Sequence, residues 1–144
     1  MSIAMMPRDL NKVMRILQIY DVHDLASADA AFKKAQDFCD DICMEKSKAY
    51  AVALSVEEFS LCLMGEAFSS EDHLINICIT EDSGRVTVKF TDNTNLNDPK
   101  TFQELYEQAY ESLDSLPALK YVNKESFSMD TYFVLRLNSY QFVF

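Results

Sequence analysis

The soft and nucleophilic side chains of this chain are Cys39, Cys43, Cys62, Cys78, His23 and His73. Cys39 and Cys43 stand four apart, a spacing that puts two thiols on one face of a helix. Two such ligands would make half of a tetrahedral metal site. No Cys-x-x-Cys pair completes it, and both histidines are isolated from the cysteines in sequence. The expected role of the cysteines is therefore that of small hydrophobes, reduced and largely buried at Cys39, Cys43 and Cys62, with no metal. A second group is acidic. Glu57 and Glu58 are adjacent, Cys62 follows four residues after Glu58, and Glu66 four further on. A positioned carboxylate can serve as a general base. The plain alternative is a solvated helix face. Asp92, Asn93 and Thr94 open the polar run DNTNLNDPK. An aspartate in such an Asn-rich run is expected as a turn former.

Glycine is nearly missing. Only Gly65 and Gly84 occur, where about ten would be average at roughly 7% usage. Walker and dinucleotide-binding loops need closely spaced glycines, so both are excluded. Thirteen basic residues against 23 acidic ones give a net charge of −10. That balance argues against nucleic-acid backbones and against anionic membrane surfaces. No run of roughly 18 apolar residues offers a spanning helix. The N-terminus, MSIAMMPRDLNKVMRIL, has no apolar stretch of secretory length. A cytoplasmic protein is expected.

The 144 residues, 49% apolar, suit one compact domain over 1–144 with a sizeable core. Residues 13–20 read as a first strand, with a helix as the alternative. Ser27 is the expected N-cap of a helix over 28–44, with Asp29 in its first turn. Ser47 is the expected cap of a second helix over 48–67. The apolar period then changes to two. Residues 74–80 and 86–91 read as strands joined by the turn Glu81-Asp82-Ser83-Gly84. Thr101 with Glu104 makes a capping box for a third helix over 102–114. Strands are expected at 119–126 and 130–137, with a last extension at 140–144. The order β-α-α-β-β-α-β-β implies an α+β two-layer sandwich, with a mixed, mainly antiparallel sheet and the helices on one face.

The segment SKAYAVALSVEEFSLCLMGEAF, followed by strand, turn, strand and FTDNTNLNDP, resembles the histidine-kinase-like ATPase domain. The subgroup it looks most like is the small anti-sigma-factor serine kinases of bacterial partner-switching systems. The matched motifs cover about twenty residues, while the order of elements corresponds over nearly the whole chain. The resemblance implies a role for each position. Glu57 and Glu58 fall on the family's acidic pair, with Glu58 where the attacking hydroxyl or water is oriented or deprotonated. Cys62 falls where the family has an asparagine that binds Mg²⁺ between the phosphates. Mg²⁺ is a hard cation that wants oxygen, so a thiol there departs from the pattern. Glu66 replaces a frequent histidine and adds negative charge. Asp92 falls on the aspartate that receives the adenine amino group, and Asn93 also matches. Thr94 replaces the glycine that lets the purine lie against the backbone. Leu96, Asn97 and Pro99 loosely echo the end of that loop. The glycine-rich lid is missing, since no glycine follows Gly84.

The resemblance therefore implies an eroded ATPase-type domain that works as a protein-binding regulatory module, with no cofactor needed. The alternative is a divergent serine kinase that uses Mg-ATP, with Glu58 as base. A third reading is an unrelated α+β interaction domain. Between Asp21 and Asp114, 20 acids face 7 bases. A protein partner with a basic patch would associate quickly with such a surface. The apolar ending FVLRLNSYQFVF is expected as a core strand or as the edge of a homodimer.

Overall fold

The computed structural model describes residues 14–67, 74–93, 107, 123–132 and 137–144. In chain order these form β1 (Arg15–Val22), α1 (Leu25–Asp41), α2 (Lys46–Ala67), β2 (Ile75–Asp82), β3 (Arg85–Asp92), β4 (Asn123–Tyr132) and β5 (Leu137–Val143). The strands make one sheet in the order β1-β2-β3-β5-β4. Every pairing is antiparallel. The fold is α+β as expected, but the described sheet is wholly antiparallel rather than mixed. The expected helix over 102–114, with its capping box, lies outside the described residues apart from Glu107.

Local chemistry sets where α1 begins and ends. The N-cap is Asp24, not Ser27, and the helix starts three residues before its expected first residue. Asp24 Oδ1 accepts from the Ser27 amide at 2.8 Å, and Ser27 Oγ accepts from the Asp24 amide at 3.0 Å. Ser27 is thus the reciprocal member of a capping box rather than the cap itself. Asp29 lies beyond the first turn and pairs with Lys33 at 3.2 Å on the exposed face. At the other end, the Met44 amide donates to the Cys39 carbonyl and the Cys43 amide to the Asp40 carbonyl, both at 3.0 Å. That is a Schellman closure, and it puts Cys43 at the left-handed position with φ 60°. The helix ends at Asp41, so Cys39 and Cys43 do not share a helical face.

For α2, Glu45 does the capping in place of Ser47. Its carboxylate accepts from the Ser47 and Lys48 amides at 3.1 and 3.3 Å. These bonds hold the Glu45 carboxyl below its ordinary range. The hairpin between β2 and β3 follows expectation closely. Ser83 and Gly84 are its two central residues, with φ of 54° and 85°, the pattern of a tight hairpin turn.

The C-terminal strands differ from their expected bounds. One strand covers 127–129, the residues left between the strands expected at 119–126 and 130–137, and the next begins at Leu137. Along β4, Phe127 and Met129 are buried while Ser128 and Asp130 are exposed. This is the alternation of an edge strand with one wet face, which reads locally as a break between strands. β5 lies between β3 and β4. It is therefore an inner strand, and the dimer-edge alternative for the chain's ending is corrected to a core strand.

The core sits between the helices and one face of the sheet. Ala28, Ala31, Ala35 and Cys39 form a stripe of small buried residues on α1. Small side chains let α1 lie close to Ala49, Val52, Ala53 and Val56 of α2, which share the same buried cluster. The sheet contributes Ile19, Ile77, Ile79, Val88, Phe90, Tyr140 and Phe142. Phe59 of α2 keys the two layers together. Its ring lies 4.8 Å from Phe90, 5.6 Å from Tyr140 and 5.7 Å from Phe142.

Candidate functional site

Strand alternation decides where the candidate carboxylate of β3 points. Val86, Val88 and Phe90 are buried, so the next residue of that parity, Asp92, also faces the helices. Asp92 is 1% exposed. Across the ladder it stands opposite Ile75 of β2 and Asn138 of β5. Asn138 is likewise 1% exposed, and its neighbour Ser139 is 6% exposed. A buried carboxylate thus lies beside a buried carboxamide in the last layer of an otherwise apolar face. Placing a carboxylate there costs free energy unless its oxygens are engaged.

Asn93 has a different position. It is exposed, and its Oδ1 accepts from the Leu74 amide at 2.9 Å. That bond ties the end of β3 to the start of β2, which fixes the frame around Asp92. Thr94 lies outside the described residues, as do Leu96, Asn97 and Pro99.

The acidic pair sits on α2. Glu57, Glu58, Leu61 and Cys62 are half-buried, between the fully buried Val56, Phe59, Ser60, Leu63 and Met64. Glu58 Oε2 is shielded from solvent without a hydrogen-bond partner among the described residues. Burial raises the Glu58 carboxyl, and the like charge of Glu57 raises it further. Cys62 follows one turn after Glu58. The side chain of Glu66 is outside the described residues. Phe59, next to Glu58, packs on Phe90, two residues before Asp92 on the same face. The helix with the acidic pair and the strand with the buried carboxylate are joined through that aromatic contact.

The other cysteines play no part in this arrangement. Cys39 is fully buried, and burial with some help from Asp40 pushes its thiol up to about 12. Cys43 is exposed rather than buried, because the helix stops before it. None of the four forms a disulfide. Among the described residues, no three His, Cys, Asp or Glu side chains converge as metal ligands would. Cys78 faces the opposite side of the sheet. There it lines a shallow cleft of about 230 Å³ with Gln18, Asn76, Lys89 and Thr91. Among the described residues, no helix is long and apolar enough to cross a membrane.

Asn138 and Ser139 were not singled out from the sequence. The signal was present, since Asn138 shares the parity of Tyr140 and Phe142 in an apolar strand. The buried Ser60, whose Oγ has no partner among the described residues, was missed in the same way. The chain matches no protein-family model, and no curated protein matches it.

Proposed function

We propose that this chain is a histidine-kinase-like ATPase domain with eroded nucleotide machinery, serving as a protein-binding regulatory module of the anti-sigma-factor type. The observation that carries the proposal is Asp92, a carboxylate 1% exposed on the helix-facing side of the sheet. A carboxylate held in mostly apolar surroundings suits the recognition of a purine amino group, the role that the resemblance implies. Cys62 supports erosion. It presents a thiol where an oxygen ligand for Mg²⁺ is needed. Thr94 in place of glycine and the absent glycine lid point the same way. With phosphate binding weakened, the acid-rich surface is left to meet a protein with a basic face, at a rate that falls as salt rises.

A divergent serine kinase is the second reading, and Glu58 favours it. Its carboxyl is raised by burial and by the like charge of Glu57, the direction in which a general base is tuned. Titration calorimetry with ATP, with and without Mg²⁺, separates the two. The expected dissociation constant is about millimolar or weaker, because each lost contact typically costs about 1–3 kcal/mol and each 1.4 kcal/mol is tenfold. Cys62→Asn combined with Thr94→Gly should recover part of the binding. A micromolar, Mg²⁺-dependent constant that Asp92→Ala abolishes would put the kinase first. Failure of the double variant to gain any binding would remove the ATPase-type reading.

A further inference from the structure

The face of the sheet turned away from the helices carries a single charge at its centre. Lys89 is exposed there, on β3. Across the ladder, Cys78 and Gln18 stand beside it in one direction and Gln141 in the other. Strand alternation puts Thr87 and Thr91 on the same face, before and after it. All of these neighbours are uncharged. Asp130, the acid of β4 on this face, is two strands away. In a chain of net charge −10, Lys89 belongs to no ion pair among the described residues. A cation surrounded by neutral amides and hydroxyls, within so acidic a chain, is the feature that calls for a partner.

The irregularity of β1 between Ile19 and Val22 supplies a second donor. Asp21 has φ 62° there, and its amide donates to Asn76 Oδ1 at 3.0 Å. With that oxygen engaged, Asn76 has Nδ2 left to offer, which carries two donors. Asn76 lies opposite Thr91 and diagonal to Lys89, within reach of a long side chain. Thr91 Oγ1 donates to the Asn76 carbonyl at 3.5 Å, which leaves its lone pairs to accept. Burial pushes the Cys78 thiol up while Lys89 pulls against it, so the thiol stays protonated and is a weak donor. These side chains and Gln18 line the cleft of about 230 Å³. Drug-sized pockets run to roughly 300–1,000 Å³, so its ligand is small. N–H donors around one ammonium suit an oxyanion, and a single positive charge matches a single negative one. A phosphate dianion would bring an unmatched charge to a chain that is already acidic. We propose that this cleft binds a small organic monocarboxylate, with Lys89 Nζ and Asn76 Nδ2 donating to the carboxylate. Gln18 and Thr91 meet the rest of the ligand. The proposal is independent of the nucleotide reading, because the cleft is on the face of the sheet opposite Asp92.

Titration of the ¹⁵N-labelled full chain with butyrate and with benzoate, at constant ionic strength, tests it. The expected result is saturable movement of the Cys78, Lys89 and Thr91 amide signals, with a dissociation constant of about 1–10 mM. Inorganic phosphate under the same conditions should bind about tenfold more weakly or worse. Lys89→Gln, at an exposed position, should weaken both carboxylates by about tenfold or more, and Lys89→Arg should keep most of the binding. Asn76→Asp retains an oxygen for the Asp21 amide but replaces the donors with a negative charge, so it should abolish binding. Shifts that stay linear with concentration for both carboxylates would overturn the proposal. So would binding that survives Lys89→Gln or Asn76→Asp, phosphate binding as tight as that of the carboxylates, or shifts confined to the helix-facing side around Asp92.

Discussion

Cys43 occupies a position where helices usually place glycine. Its φ of 60° closes α1, yet its side chain has a Cβ that the left-handed region disfavours. Asp21 and Ser83 take positive φ in the same way. A chain with two glycines meets its tight turns with residues that tolerate them poorly. Cys43→Gly should therefore stabilise the fold by about 1 kcal/mol, read as a higher urea midpoint with an unchanged slope. Glu58 gives a second test at this scale, through pH. Its carboxyl is raised above the usual 4.5 by burial and by Glu57. The folded protein then holds that proton more tightly than the unfolded chain does. The contribution of Glu58 to stability is fully present below 4.5 and is lost as pH rises through the elevated folded value. At neutral pH the charged form is a liability. Glu58→Gln should raise Tm at pH 7, leave it unchanged well below 4.5, and flatten the decline between. Thermal melts across pH check this, and equal slopes in both proteins would contradict it.

The joint between α2 and the sheet is concentrated in Phe59. Its ring meets three aromatic rings from β3 and β5, and it is fully buried. Phe59→Ala should cost about 3–5 kcal/mol, because the cavity is walled by rigid rings that close in poorly. Against a typical total of about 5–15 kcal/mol, that leaves the fold marginal. Phe59→Leu should cost clearly less. Chemical denaturation of both variants measures the difference. The elements themselves were legible to unequal degrees. The β2–β3 hairpin could be read because Gly84 marks the turn and alternation runs cleanly on both sides. The start of α1 was misread because Ser27 has the composition of a cap while Asp24 has the geometry. Its end was hidden because a cysteine stands in the glycine position. β4 was cut in two because an edge strand needs only one apolar face, and Ser126, Ser128 and Asp130 occupy the other. The burial of Asp92 was hidden because the strand was expected to stop at Thr91, whereas β3 runs one residue further and carries the parity of Val86, Val88 and Phe90 on to Asp92. Asn138 went unseen because its significance comes from a strand pairing, β3 with β5, that no local pattern announces.

Charge acts over the whole molecule, and it opposes self-association. Each copy carries a net −10. At a centre-to-centre distance of roughly 30 Å, two such copies repel by about 14 kcal/mol in unscreened water. At about 0.15 M salt the screening length is about 8 Å, which cuts that repulsion below about 1 kcal/mol. At about 0.01 M the length is about 30 Å, and roughly 5 kcal/mol survives. Ion pairs across an interface would run the other way, but exposed pairs are worth at most about 1 kcal/mol each. The long-range repulsion therefore wins, and any self-association of this chain should tighten with added salt. Between about 0.01 and 0.15 M, a loss of roughly 4–5 kcal/mol of repulsion corresponds to about a thousandfold in the dissociation constant. A dimer held chiefly by ion pairs would show the opposite slope. Sedimentation across that salt range distinguishes them. Association that weakens steadily from low to moderate salt would mean that local pairing outweighs the net charge.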